Sequence, residues 1–66
     1  MIRNKIKKAL KTKYEGDIAV AQVNVEVFLE NSVGVGEHPD IIEAMDSQMH
    51  IIAEAEDKLL VLEKYF

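Results

Sequence analysis

The sequence of 66 residues contains no cysteine, which excludes disulfide bonds and thiolate metal sites as means of holding the fold together. A chain this short buries only about 60% of the surface that its unfolded form exposes. Folds of this size therefore usually need a disulfide, a metal or a partner subunit. With disulfides excluded, we expect association with other chains to supply the missing stability.

Long apolar runs are also absent from the sequence. A membrane-spanning helix needs about 20 consecutive apolar residues, and no segment approaches that length. The basic N-terminal segment is not followed by the uncharged apolar stretch of a signal peptide. Together with the absence of cysteine, these features predict a cytoplasmic protein.

Glycine and proline are scarce, and their positions divide the chain into two arms. Two of the three glycines and the only proline fall within residues 34–40. Glycine is typical of the position just after a helix, and proline is typical of the first helical turn. The sequence therefore predicts an all-α fold, an antiparallel two-helix hairpin, as a single domain over residues 1–66. The helices are expected at about 2–31 and about 39–65, joined by a turn at about 32–38.

The first arm carries apolar residues at helical spacing, and this stripe is predicted to face the second helix. Its members are Ile2, Ile6, Leu10, Tyr14, Ile18, Ala21, Val25 and Phe28. Two alternatives stay open in this arm. Gly16 costs about 1 kcal/mol relative to alanine, and the chain could bend there with Asp17 capping a new segment. The alternating, β-branched residues 23–27 are also typical of a strand, but no second strand is available to pair with them.

The second arm has a regular heptad pattern, which predicts a helical seam. Its two rows are Met45, Ile52, Leu59 and Phe66, with Ile41, Gln48, Ala55 and Leu62. Further apolar residues lie beside these rows and make the apolar stripe of the second arm wider than one neighbouring helix can cover. These residues are Ile42, Met49, Ala53 and Leu60.

This excess of apolar surface predicts self-association. Two hairpins that pair as a homodimer would form a four-helix bundle, and each fully buried Leu, Ile or Met contributes roughly 1.5–3 kcal/mol. Alternatively, the same surface docks another protein. The residues expected at the interface are Ile42, Met49, Ala53 and Leu60, with Val20, Val23 and Val27 opposite.

Positive charge is concentrated in the first residues of the chain, although the net charge is −4. The basic tip, which precedes the first acidic residue, comprises Arg3, Lys5, Lys7, Lys8, Lys11 and Lys13. In a hairpin this tip lies beside the end of the second helix, where Asp57 and Glu63 are expected to pair with it. The alternative function for the basic tip is contact with nucleic acid or an anionic membrane.

The sequence offers few groups that could carry chemistry. Asp46, His50 and Glu54 form a row on one helix face that could ligate zinc or iron. The simpler interpretation is a solvated row of ion pairs. A slender hairpin has no cleft of the kind that catalysis requires, so we expect neither an enzyme, a bound metal nor a cofactor.

Four segments resemble a family of small proteins encoded by tailed phages of marine cyanobacteria. These segments are residues 24–31, 34–41, 53–59 and 62–66, and the Gly-Val-Gly-Glu-His-Pro-Asp motif at 34–40 is the most specific part. The resemblance implies a phage accessory or virion-associated protein in the host bacterial cytoplasm. It carries no established activity and assigns no functional residues. Our functional prediction is a non-enzymatic protein that associates with itself and with a phage or host protein.

Overall fold

The computed structural model describes residues 1–30 and 40–66, which form two helices. Helix α1 spans Ile2–Glu30 and helix α2 spans Asp40–Tyr65. The helices pack against each other as a hairpin, which confirms the all-α prediction. The predicted turn at 32–38 and the expected helix ends at 31 and 39 lie outside the described residues.

Helix α1 is continuous through both regions where the sequence left alternatives. Residues 23–27 are helical, so a strand at these positions is wrong. Gly16 lies within the helix, and no atom outside its own helical surroundings is within 4 Å of the place that a Cβ would take. Asp17 begins no new segment, because it continues the helix and its carboxylate accepts a hydrogen bond from Lys13 Nζ at 3.0 Å.

The seam between the helices follows a spacing that alternates between three and four residues. This spacing keeps a narrow stripe of each helix against its neighbour, as in a two-stranded coiled coil. The residues in the seam are Leu10, Tyr14, Asp17, Ala21, Asn24 and Phe28 of α1, with Ile41, Met45, Gln48, Ile52, Ala55, Leu59 and Leu62 of α2. Among the described residues, only Ala21, Ala55 and Leu62 are buried. The core of a single hairpin is therefore very small.

The predicted apolar stripe on α1 is wrong at its first two positions. Ile2 and Ile6 are 73% and 54% exposed. A step of four residues rotates about 40° past a full helical turn, so a row of such steps drifts across the helix surface. Ile2 and Ile6 therefore lie beside the seam, while Arg3 and Lys7 take the positions that approach α2.

The heptad rows predicted for α2 are confirmed with one exception. Seven of the eight residues are buried or half-buried, whereas Phe66 is exposed. Phe66 follows Tyr65, the last residue of α2. A seven-residue period thus identified the inward stripe of α2 along the whole length of the helix.

The hairpin is elongated and exposes more surface than a compact protein of the same mass. Its extents are 52 × 15 × 12 Å, and its accessible surface is 5376 Å². Compact monomers of 7.5 kDa expose about 4,200 Å² by the usual scaling of surface with mass. The excess of about 1,100 Å² is comparable to the area that one partner loses in a stable complex.

Candidate interaction surfaces

Four contacts between the helices establish their antiparallel register. Towards the C-terminal end of α1, Asn24 Nδ2 donates a hydrogen bond to Gln48 Oε1 at 3.0 Å. Further along, Lys58 Nζ lies 5.6 Å from the centre of the Tyr14 ring. At the end, Lys7 pairs with Glu63 at 3.8 Å, and the Arg3 guanidinium donates to the backbone oxygen of Phe66. Residue numbers rise on α1 as they fall on α2, as expected for an antiparallel pair.

One broad side of the hairpin carries exposed aliphatic residues from both helices, and we call it face A. Each of these residues immediately precedes an inward-facing residue, as Val20 precedes Ala21 and Val61 precedes Leu62. In an antiparallel pair of helices, equivalent heptad positions lie on the same side of the seam. The members of face A are Ile2, Ile6, Val20, Val23, Val27, Ile51 and Val61.

Two grooves between the helices open on face A. The larger, of 590 Å³, brings residues of both helices together and is lined by Ile2, Arg3, Ile6, Lys7, Leu10, Tyr14, Asp57, Lys58, Val61, Leu62 and Phe66. The smaller, of 190 Å³, is lined by Asp17, Ile51, Glu54, Ala55 and Lys58. Because Lys58 borders both grooves, they lie on the same side of the hairpin.

The opposite side of the hairpin, face B, has a smaller set of exposed apolar residues. Each of them immediately follows an inward-facing residue, as Met49 follows Gln48 and Leu60 follows Leu59. The members of face B are Leu29, Ile42, Met49, Ala53 and Leu60. Faces A and B lie on opposite sides of the hairpin. Seam residues separate them on the inner side of each helix, and polar residues separate them on the outer side.

The structure distributes the predicted interface residues between both faces. Val20, Val23 and Val27 lie on face A, whereas Ile42, Met49, Ala53 and Leu60 lie on face B. All of them are exposed, and none belongs to the seam. They therefore lie on two separate surfaces of the hairpin.

Sequence reasoning missed Ile51 and Val61, the α2 residues of face A. Both are exposed, at 38% and 42%. Their signal was present in the heptad pattern, because each directly precedes a member of the predicted rows, Ile52 or Leu62. Antiparallel helices place equivalent heptad positions on one face. This rule would have assigned Ile51 and Val61 to the same face as Val20, Val23 and Val27 of α1.

The basic tip divides into residues that contact the protein itself and residues that extend into solvent. Lys7 contacts Glu63 of α2, and Arg3 contacts Phe66, the residue after α2, which confirms that the tip lies beside the end of the second helix. Lys13 pairs with Asp17 within α1. Lys5, Lys8 and Lys11 are exposed, and they are the tip residues available to an external anion.

The candidate metal row on α2 is engaged in ion pairs along the helix. Glu54 lies 3.3 Å from His50 Nε2 and 3.3 Å from Lys58 Nζ, and all three side chains are at least half exposed. Within residues 1–30 and 40–66, no group of three or more His, Cys, Asp or Glu side chains is placed to hold a metal ion. Asp46 therefore does not join His50 and Glu54 in a ligand set.

Comparisons with known proteins add no relatives. No protein-family model, curated protein or solved structure matches the chain. In the part of the chain that the structure describes, neither helix has the length and apolar character needed to cross a membrane. Functional inference therefore depends on the two faces and on the distribution of charge.

Proposed function

We propose that this protein is a non-enzymatic interaction module, a helical hairpin that pairs with a second copy and binds another protein. One observation carries the proposal: aliphatic surface is exposed on both sides of the seam. On face A, Val20 and Val23 are 64% and 59% exposed, and on face B, Ile42 and Leu60 are each 69% exposed. Soluble monomers rarely leave extended apolar surface of this kind uncovered, and such patches mark interaction sites.

The free energy gained by covering face A is comparable to the cost of association. Each of its seven aliphatic side chains is partly exposed, so covering it contributes roughly 1 kcal/mol, about half of the value for full burial. Fourteen such side chains in a dimer contribute on the order of 14 kcal/mol. Association costs about 4–15 kcal/mol in lost rotational and translational freedom. The two quantities are comparable, which supports a dimer that forms and dissociates reversibly.

Face B supports the second part of the proposal. A four-helix bundle built through face A leaves Ile42, Met49 and Leu60 on its outer surface. Methionine adapts its shape to varied partners, and aliphatic neighbours increase the area available for burial. The resemblance to cyanophage proteins supports a phage or host protein as the partner, in the bacterial cytoplasm or in the virion.

The basic tip supports a second candidate function, binding of nucleic acid or an anionic membrane. The observation in its favour is the exposure of Lys5, Lys8 and Lys11. Two observations oppose it: Arg3 and Lys7 contact Phe66 and Glu63 of the same chain, and the rest of the molecule is acidic. An acidic body repels phosphate groups at longer range, so the protein-binding function is better supported.

A matched pair of variants tests the proposed function. Val20→Asn with Val23→Asn alters face A, and Ile42→Asn with Leu60→Asn makes the same change on face B. We expect the first pair to abolish dimers in sedimentation experiments and to leave capture of a host or phage protein intact. The second pair is expected to keep the dimer and lose the captured protein. A wild-type chain that stays monomeric and captures the same proteins as both variants would contradict the proposal.

The second candidate function is tested with a salt titration against duplex DNA and anionic vesicles. Binding through phosphate contacts weakens steeply as salt rises, because counterions are released from the nucleic acid. We expect no binding at physiological salt. Salt-sensitive binding that is lost in a Lys5→Ala, Lys8→Ala, Lys11→Ala variant would support the basic tip as a functional site instead.

A further inference from the structure

We propose that the second copy docks on face A in the antiparallel sense, so that each end of one hairpin lies beside the opposite end of the other. This inference rests on the proposed self-association and adds its face and its direction. Two directions are possible for two stacked hairpins. In the parallel direction like ends meet, and in the antiparallel direction unlike ends meet. Charge and the pattern of apolar residues on face A both distinguish these directions.

The two ends of the hairpin have opposite charge. The basic end, residues 1–13 and 58–66, contains all eight lysine and arginine residues and one acidic residue, Glu63. The acidic end, residues 24–30 and 40–46, contains no lysine or arginine. Its acidic residues are Glu26, Glu30, Asp40, Glu43 and Asp46. A parallel dimer brings two acidic ends together, whereas an antiparallel dimer places each acidic end beside a basic end.

Apolar residues on face A form two patches separated by a polar waist. The patch at the basic end contains Ile2, Ile6 and Val61, which line the larger groove. The second patch, towards the acidic end, contains Val20, Val23, Val27 and Ile51. Between them lie the Lys13–Asp17 and Glu54–Lys58 ion pairs, at 3.0 and 3.3 Å. Gly16 lies at this waist, where its missing side chain leaves open space.

An antiparallel second copy matches this pattern. A two-fold axis through the waist stacks α1 on α1 of the second copy and brings each basic-end patch against a valine-rich patch. Ile6 of one chain then lies near Val27 of the other, because both are about ten residues from Gly16. The waists meet at the axis, where lysines of one copy lie near carboxylates of the other. In the parallel direction, α1 instead stacks on α2 of the second copy, and Val20 lies near Ile51.

The available area fits a closed dimer. The backbone outline of the hairpin, 52 by 15 Å, has a projected area of about 780 Å², and the accessible surface of a face with this outline is at least as large. Stable complexes of standard size bury about 800 Å² per partner. When both subunits use the same face, they form a two-fold dimer. Both copies of that face are then covered, so no third subunit can bind there.

Disulfide trapping tests the direction, and the cysteine-free chain allows each variant to carry a single thiol. We expect the Gly16→Cys variant to form a disulfide between residue 16 of one subunit and residue 16 of the other, because the two-fold axis passes beside this position. Ile6→Cys and Val27→Cys should cross-link when the two variants are mixed, and each should cross-link poorly alone. Val20→Cys mixed with Ile51→Cys reports the parallel direction and should not cross-link. Leu60→Cys on face B is the matched control and should also stay uncross-linked.

The outcomes separate this inference from the proposed function. A dimer in sedimentation that cross-links only through Val20→Cys with Ile51→Cys would overturn the antiparallel direction and keep self-association. A dimer that cross-links only through Leu60→Cys would overturn the choice of face A. A monomer at all concentrations would overturn both proposals. As a second readout, raising salt from about 0.02 M to about 0.5 M should increase the dissociation constant severalfold, because screening removes the attraction between unlike ends.

Discussion

Asn24 and Gln48 are hydrogen-bonded across the seam, from Nδ2 to Oε1 at 3.0 Å, in a part-buried position. They are the polar residues of the seam near the acidic end, and their aliphatic neighbours could pack in several registers. A polar pair at the seam of a coiled coil fixes alignment at some cost in stability. We infer that this pair sets how far one helix is displaced along the other.

Removal of one partner of this pair should destabilise the hairpin. Asn24→Ala leaves the Gln48 amide without its partner in a half-buried position, so the free energy of unfolding should fall by about 1 kcal/mol. Urea denaturation at a fixed protein concentration measures this change. Gln22→Ala, which changes an exposed amide two residues earlier on the same helix, is the control and should have little effect. Equal losses in both variants would show that the hydrogen bond makes no net contribution.

Gly16→Ala should stabilise α1. No neighbouring atom is near the position of the added Cβ, and alanine is about 1 kcal/mol more favourable than glycine inside a helix. Thermal unfolding followed by circular dichroism should show a midpoint several degrees higher, as expected for a small domain. The control is Thr12→Ala, an exposed position one turn earlier with a smaller gain in propensity. A lower midpoint for Gly16→Ala would contradict this expectation.

The glycine and proline residues at 34–40, together with helical spacing of apolar residues, were sufficient to predict the two helices, and heptad spacing predicted the inward side of α2. It worked because Met45, Ile52 and Leu59 repeat at the period of a coiled-coil seam, which tertiary packing preserves. The four-residue steps were misleading at Ile2 and Ile6, because that spacing drifts around the helix. A seven-residue period is therefore the better guide to which residues of such a helix approach its neighbour.

The candidate surfaces were harder to predict than the helices. Individual flank residues such as Val20 and Ile42 were identified from the sequence as exposed apolar positions. Their assignment to different faces required the antiparallel register, which the Asn24–Gln48 and Lys7–Glu63 contacts establish. Single-helix periodicity contains no information about which side of one helix lies beside which side of the other.

The ion pair at the basic end should contribute little to stability. Lys7 and Glu63 lie 3.8 Å apart, and their side chains are 33% and 59% exposed. Exposed pairs of this kind contribute about 0–1 kcal/mol, and salt screens them. Lys7→Ala should therefore reduce the free energy of unfolding by no more than about 0.5 kcal/mol at physiological salt. A loss well above that value, unchanged in high salt, would indicate that packing of the lysine stem is the important contact.

Metal removal should leave the protein unchanged. His50 and Glu54 form an exposed ion pair with Lys58 alongside, and a positively charged neighbour disfavours a bound cation. Unfolding curves with EDTA and with added zinc should therefore coincide, for the wild type and for His50→Ala. Stabilisation by zinc that disappears in His50→Ala would contradict this interpretation, because a ligand that binds the folded state raises its stability.

Sedimentation equilibrium over a range of concentrations tests the central claim most directly, namely that a second copy covers the exposed apolar surface of the hairpin. If a second copy covers this surface, the apparent mass should rise from 7.5 kDa at high dilution towards twice that value. Val20→Asn with Val23→Asn should hold the mass at the single-chain value over the same range. A wild-type mass that stays at 7.5 kDa at every concentration would contradict the account.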